Sequence, residues 1–318
     1  MKIIGTGSYL PQNILTNEAL EKLVDTNDAW ITSRTGIKNR HLVKGENTSD
    51  LATKAALLAT QKAGIQVNDI GLIIVATSTP DTFIPGVSHQ VLKNLGIKKA
   101  MAFDVNAACT GFVYGLDVAT SLMQAHGFEY ALVIGAEVMS KLIDWHDRNT
   151  CVLFGDGAGA VVIAHRNNGL LYASCTTIPD EADTLVSGGL AVKNPLCTEI
   201  QNDVFLKMKG QEVFKFAVSK VGESIKEALT QTKLTVHEVD HFILHQANSR
   251  ILDYVAKKLQ IPIEKFYSTI AHTGNTSAAS IPIVLDEMNQ KGLLEKDMKL
   301  VLTGFGAGLT YGTIILKW

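Results

Sequence analysis

The sequence is poor in features that would tie it to several large function classes. Aromatic residues make up only 7% of its 318 residues, so an aromatic-rich binding face is not expected. The net charge is −2, and no global basic field calls for nucleic acid or an anionic membrane. No apolar run of the length needed to span a bilayer is free of charge, so membrane insertion is not expected. The first residues, MKIIGTGSYLP, lack the apolar core and cleavage site of a signal peptide and read as a strand and turn. There is no CxxC. The four cysteines, Cys109, Cys151, Cys175 and Cys197, are widely spaced, which points to free thiols and a cytoplasmic home.

What is present is apolar mass and glycine. Hydrophobic residues reach 46%, and there are 26 glycines. The length exceeds that of an ordinary single domain. GLIIVATS (71–78) and YALVIGAE (130–137) are continuous apolar runs and read as fully buried strands. SDLATKAALLATQKAG (49–64) reads as a helix, with Ser49 or Asp50 as its cap and Gly64 at its end. The pattern is α/β. It also repeats. DHFILHQAN (240–248) parallels GLIIVATS and the residues after it. HTGNTSAASIPIVLDEM (272–288) parallels the loop and helix around residue 109. GFGAGLTYGTIIL (304–316) echoes GDGAGAVVIA (155–164). The three echoes come in the same order, which predicts two similar α/β halves with a seam near 165–172. Residues 173–210 read as a long irregular insertion over the surface or a site.

Chemistry concentrates at matching points of the two halves. Cys109 in DVNAACTGFVYG has small neighbours and precedes a helix, where backbone N–H groups and the helix dipole favour a thiolate. A buried, inert cysteine fits the same residue. His245 ends a buried strand, the place where open α/β sheets bind ligands. Asn275 sits in a loop too polar to be pure core; a turn-forming role is the plain alternative. By the repeat, all three converge where the halves meet. Gly304–Gly308 would let backbone N–H groups approach a ligand or would pack the halves tightly. HEVDH (237–241) fits a zinc-protease pattern, but that pattern needs a helix, and this segment runs into β-like FILH; no metal is expected. The order Cys, His, Asn also fits a papain-like hydrolase, although the local cysteine signature of that family is absent.

NAACTGF, HQAN, GNTSAAS, DRNTCVLFGDGAGA and GFGAGLTYG together resemble β-ketoacyl-acyl-carrier-protein synthase III, and DTNDAWITSRTGIKNRH (25–41) resembles the N-terminal signature of that family. The likeness runs along the whole chain. It implies a thiolase-like fold: two duplicated halves, 1–168 and 169–318, in a five-layered α-β-α-β-α sandwich, working as a homodimer. The implied activity is the initiating condensation of type II fatty-acid synthesis, with acyl-CoA and malonyl-acyl carrier protein as substrates and no cofactor. Cys109 is then the acyl acceptor, with His245 and Asn275 completing the set. Backbone N–H groups of Cys109, Gly306 and Ala307 form the oxyanion hole. Trp30, Arg34, Arg148 and Asn248 hold coenzyme A. Arg250 and Lys257, seven residues apart on one helix face, meet the carrier protein. Phe83 and Ile84 shape the primer pocket of a dimer partner. The chain departs from the family in having Ile84 before Pro85, where members restricted to acetyl primers often have Phe; the smaller residue would admit longer or branched primers. It also has Ala307 where many members have Gly. A specialised relative making a polyketide or quinolone starter, a cysteine thioester hydrolase and a non-catalytic acyl-CoA binder are the other readings.

Overall fold

The computed structural model describes residues 1–166, 169–197 and 203–318. The apolar runs are strands. β1 (Lys2–Tyr9), β2 (Ile70–Ala76), β3 (Met101–Val105), β4 (Tyr130–Glu137) and β5 (Gly157–Ala164) form one sheet in the order β1-β5-β4-β2-β3. β6 (Leu170–Thr177), β7 (His241–Leu244), β8 (Lys299–Gly306) and β9 (Thr310–Lys317) form a second, in the order β7-β8-β9-β6.

The two sheets repeat one plan. β4 and β2 run parallel, β5 lies antiparallel to β4, and β1 antiparallel to β5. In the second sheet β8 and β7 run parallel, β9 lies antiparallel to β8, and β6 antiparallel to β9. A single parallel bridge, Phe242 to Phe266, stands where β3 pairs with β2 in the first sheet. The duplication read from three short echoes is therefore a property of the topology.

Among the described residues, seven helices of eight or more residues stand beside the sheets: α1 (Asp28–Thr35), α2 (Thr48–Ala63), α3 (Val87–Asn94), α4 (Gly111–His126), α5 (Gly210–Thr232), α6 (Ser249–Leu259) and α7 (Ser280–Gln290). α4 and α7 lie between the sheets, where Phe112, Leu116, Ile281 and Leu285 pack with Leu72 and Ile74 on one side and Leu300 and Leu302 on the other. The alternate strand residues Ile73 and Val75 face α2 and α3, while Val301 and Ile315 face α5 and α6. Successive side chains of a strand point to opposite faces. Both faces are covered here, so every position is apolar and the strand reads as an unbroken run. The result is the expected five-layered α-β-α-β-α sandwich.

Two local readings change. The cap of α2 is Asn47, not Ser49 or Asp50; Asp50 lies a turn inside, and its carboxylate accepts from the Asn47 N–H at 2.8 Å. Residues 173–177 of the stretch read as irregular belong to β6. β6 is an edge strand with half-buried residues, so it lacks the apolar run that marks its neighbours. Beyond it, Leu185–Val186 pairs with Lys207–Met208 as a small ribbon. Residues 198–202 of that stretch, and residues 167–168 at the seam, lie outside the described residues.

The halves meet backbone to backbone. A Cβ on Gly135 of β4 would lie 2.2 Å from the carbonyl oxygen of Ala278, just before α7. Neither group is the loose end of a side chain, so the contact cannot give cheaply. Gly135→Ala is expected to destabilise the protein by about 3 kcal/mol, read as a fall in the urea midpoint; an unchanged midpoint would mean that the seam is softer than this geometry requires.

Candidate active site

Cys109 stands in a tight turn, Ala108–Thr110, between β3 and α4. Ala108 has φ 46°, a left-handed conformation that a small side chain tolerates best. Glycine on the facing strand brings the second half against it: a Cβ on Gly306 would lie 2.9 Å from both the N and the Cβ of Cys109. The cysteine is 7% exposed. Burial pushes its thiol up to about 12, with the nearby Glu137 carboxylate acting in the same direction. A hydrogen bond with Ser277 and its own backbone N–H act the other way but do not prevail. The thiolate expected from the helix N-terminus is thus not the resting state; desolvation outweighs that help, and the resting residue is a thiol.

His245 follows β7 directly and is 1% exposed. Its N–H donates to Thr303 O at 2.9 Å, extending the parallel register with β8 by one residue. The ring packs edge-on against Phe305, with centroids 5.0 Å apart. Nδ1 lies 2.7 Å from Ser280 Oγ, and the same oxygen accepts from the Gln246 N–H at 3.3 Å. In the tautomer where the Ser280 O–H donates to Nδ1, the imidazole proton lies on Nε2. Burial pulls the ring down to about 3, so it is neutral. His245 therefore presents an N–H donor.

Asn275 lies between the short helix Ile270–Thr273 and the turn Ser277–Ala279 and is 5% exposed. Its N–H donates to Leu153 O at 2.9 Å, and its carbonyl accepts from Gly155 N at 3.0 Å. Its Oδ1 accepts from the Ser277 N–H at 2.8 Å. The side-chain orientation follows: Oδ1 is committed, and Nδ2 is the donor left over. Ser277 has φ 50°, the counterpart of Ala108 in the other half.

All three residues line one cavity of ≈ 640 Å³, together with Phe305, Gly306 and Phe214 of α5. A second cavity of ≈ 180 Å³ adjoins it, lined by Met139, Leu142, Leu206 and Ala307. Cys109, Phe154 and Leu185 border both, so the thiol sits at the junction. At the outer end, Trp30 and Arg34 line the large cavity. The Arg34 and Arg148 guanidinium carbons lie 5.1 and 4.9 Å from the Trp30 ring centroid, and Arg148 also donates to Asp25 O at 2.9 Å. Asn248 caps α6: its Oδ1 accepts from the Arg250 N–H at 2.9 Å, and its Nδ2 donates to Arg34 O at 3.0 Å. It thereby ties α6 to α1. Arg250 lines the cavity next to Phe214. Lys257 is exposed farther along α6 and does not line it. Phe83 and Ile84 are 69% and 90% exposed and do not reach the cavity within the chain.

HEVDH is not a zinc helix. Val236–Glu238 is a single turn in which Glu238 Oε2 accepts from the N–H and hydroxyl of Thr235, each at 2.8 Å, while His241 belongs to β7. No three metal-ligating side chains cluster among the described residues. The sequence reading passed over Ser277, Ser280, Phe305 and Glu137. The two serines lie inside the quoted small-residue loop, and only their tertiary partners mark them out.

Residues 103–178 match the family model for 3-oxoacyl-[acyl-carrier-protein (ACP)] synthase III, and residues 229–318 match the model of its C-terminal part. The chain is 48% identical over 321 residues to the β-ketoacyl-[acyl-carrier-protein] synthase III of Clostridium botulinum, covering 100% of this chain and 98% of the relative. It is 47% identical over 320 residues to the corresponding Clostridium acetobutylicum protein, with the same coverage. Among solved structures, 3-oxoacyl-[acyl-carrier-protein] synthase III of Aquifex aeolicus superposes with a TM-score of 0.93 at 42% identity, covering 100% and 99% of the two chains. The priming β-ketosynthase of a polyketide biosynthetic pathway superposes at 0.92 with 32% identity, covering 99% and 95%.

The histidine geometry has a direct test. NMR of protein labelled at histidine should show His245 neutral, with the proton on Nε2, and with no titration down to about pH 5, because its ring is pulled to about 3. A midpoint near the ordinary histidine value would contradict the buried, serine-held ring.

Proposed function

The chain belongs to the 3-oxoacyl-[acyl-carrier-protein] synthase III family, and from that premise we propose that it catalyses the initiating condensation of type II fatty-acid synthesis. It is an acyltransferase. It moves an acyl group from acyl-CoA to Cys109, then condenses that group with malonyl-acyl carrier protein to give 3-ketoacyl-acyl carrier protein, carbon dioxide and coenzyme A. The observation that carries this reading is the meeting of one thiol and two orientated neutral donors in a single cavity.

The chemistry follows from those groups. Cys109 Sγ attacks the thioester carbonyl, and the developing oxyanion takes hydrogen bonds from the backbone N–H groups of Cys109 and the Gly306–Ala307 loop. The close packing of Gly306 on Cys109 supports that hole. After coenzyme A leaves, malonyl-acyl carrier protein enters. His245 Nε2–H and the Asn275 amide donate to its thioester oxygen. Loss of carbon dioxide puts negative charge on that oxygen, and both donors strengthen as it forms. The enolate carbon then attacks the acyl-Cys109 carbonyl. No proton has to be removed to make the carbanion, so neutral donors suffice.

The outer residues fit the two carriers. The Trp30 face between Arg34 and Arg148 suits the adenine end of coenzyme A, and Asn248 shapes the path of its pantetheine arm. The exposed cations Arg250 and Lys257 suit an acidic carrier protein. Exposed Phe83 and Ile84 favour burial by a second copy of the chain, which makes a homodimer whose partner shapes the primer pocket. The division at 168/169 is supported by the strand content of the two sheets on either side of it. No described helix is long and apolar enough to cross a membrane, and we assign the enzyme to the cytoplasm. The likeness to a polyketide priming ketosynthase keeps a specialised product as the second reading, with the same chemistry.

Incubation with acetyl-CoA, or separately with isobutyryl-CoA, and no malonyl donor should add one acyl group per chain, mapped to Cys109 by mass spectrometry. Faster loading of the branched primer supports the role given to Ile84. Free coenzyme A without an adduct would favour a hydrolase instead. Asn275→Ala should slow malonyl decarboxylation about a hundredfold to a thousandfold while sparing self-acylation; equal losses in both half-reactions would remove its assignment.

A further inference from the structure

One buried carboxylate adjoins the site without a part in this scheme. Glu137 is the last residue of β4 and is fully buried. Among the described residues no ion pair involves it. Hydroxyls and one amide hold it instead: Thr79 Oγ1 at 2.6 Å, Thr77 Oγ1 at 3.2 Å, Ser78 N at 3.1 Å and Ser277 Oγ at 3.1 Å. A carboxylate withdrawn from water without a cation is costly, and such groups concentrate at functional sites.

Ser277 is the bridge. Its hydroxyl donates to Glu137 Oε1, and it lines the same small cavity as Cys109. A hydroxyl has one proton. With that proton directed at the carboxylate, the Ser277 oxygen keeps lone pairs free to take the thiol proton as sulfur reacts. The three groups form a chain from sulfur through one hydroxyl to a carboxylate.

The ionisable groups facing Glu137 are few. Cys109 faces it from the turn before α4. Lys141, in the turn after β4, feels the charges of Glu137 and Asp156 but lies 3.7 Å from Asp81 and donates to Thr79 O at 3.3 Å. His245 lines the larger cavity beside Cys109, and burial holds its ring neutral. It is a poor proton acceptor. Burial instead pushes Glu137 up to about 7, against the pull of its hydrogen-bond donors, where a carboxylate exchanges protons near neutral pH.

We propose that Glu137 takes up the Cys109 proton through Ser277 and stores it for the lifetime of the acyl-enzyme. The proposal rests on the acyl-transfer reading above. As Sγ bonds the acyl carbon, the S–H proton passes to Ser277 Oγ and the Ser277 proton passes to Glu137 Oε1. The bond from the acyl carbon to the coenzyme A sulfur breaks, and coenzyme A leaves as a thiolate that takes a proton from water. In the condensation, the enolate carbon displaces Cys109 as a thiolate. The stored proton then returns from Glu137 through Ser277 to sulfur, and the carboxylate is restored. One proton from water is consumed per turnover, and Glu137 ends the cycle as it began.

Two variants test the relay. Glu137→Gln keeps the shape and an acceptor oxygen but takes up no proton. Ser277→Ala keeps the carboxylate and cuts the bridge. Two rates are read: single-turnover acylation of Cys109 by acetyl-CoA, and alkylation of Cys109 by iodoacetamide from about pH 5.5 to about pH 8.5, which needs no natural substrate. In the unmodified protein, alkylation should climb through a step near pH 7 as Glu137 ionises. Both variants should lose the step and acylate about a hundredfold more slowly, while Glu137→Asp keeps a step because it still titrates. Loss of the step in Ser277→Ala, which leaves the buried carboxylate in place, distinguishes a relay from simple misfolding of the site. Unchanged rates and profiles in both variants overturn the proposal. If the unmodified protein shows the step but forms no acyl adduct, the relay stands and the acyl-transfer reading falls.

Discussion

The site depends on a backbone-to-backbone approach between the two halves. Gly135 lets β4 lie against the carbonyl of Ala278, and Gly304 and Gly306 let β8 lie against Thr110 and Cys109. Interiors are close-packed, so a contact at this range allows no intermediate position. The two approaches are related by the repeat, since each strand end meets the turn that opens the other half's central helix. Cys109 and Ser277 belong to those turns, and Glu137 and Gly306 to those strand ends. The reacting groups are near one another because the strand ends are.

Burial then acts on Cys109, Glu137 and His245 in the same sense. It pushes Cys109 up to about 12 and Glu137 up to about 7, and it pulls His245 down to about 3. Each shift favours the uncharged form. Around the Cys109 sulfur the fixed charge is therefore small, while the cations Arg34, Lys215 and Arg250 line other parts of the cavity. In such a low-dielectric surrounding a hydrogen bond to a developing oxyanion gains strength, because little water competes for it. The same desolvation that makes the thiol a poor nucleophile at rest makes its two neighbouring donors effective.

The entrance is built by separate means. Asn248 joins the start of α6 to the end of α1 through Arg34 O, and Gly36, with φ 79°, leaves room for Ser249. Trp30 and its two arginines therefore sit on a braced corner, not on a free loop. This explains how residues more than 200 positions apart in sequence hold one end of a single cavity.

The α/β class, the buried strands and the duplication were legible in the sequence, because each depends on local order. An apolar run marks a strand covered on both faces, and three echoes in one order mark a repeated topology. Cys109, His245 and Asn275 could be selected from the same repeat. Tertiary structure alone decided their states. That Cys109 rests as a thiol, that His245 is a neutral donor and that the Asn275 amide points its N–H groups outward depend on burial and on partners at Ser277, Ser280, Thr303 and Leu153. Glu137 gave no local signal, since one acid at the end of an apolar strand looks like a surface residue until the second half covers it. The edge strand β6 was missed for the converse reason: being half-exposed, it carries no apolar run. Residue order fixes which groups the chain possesses and the period in which they recur. Solvent exclusion and contacts between distant segments fix how those groups are charged and which way they point.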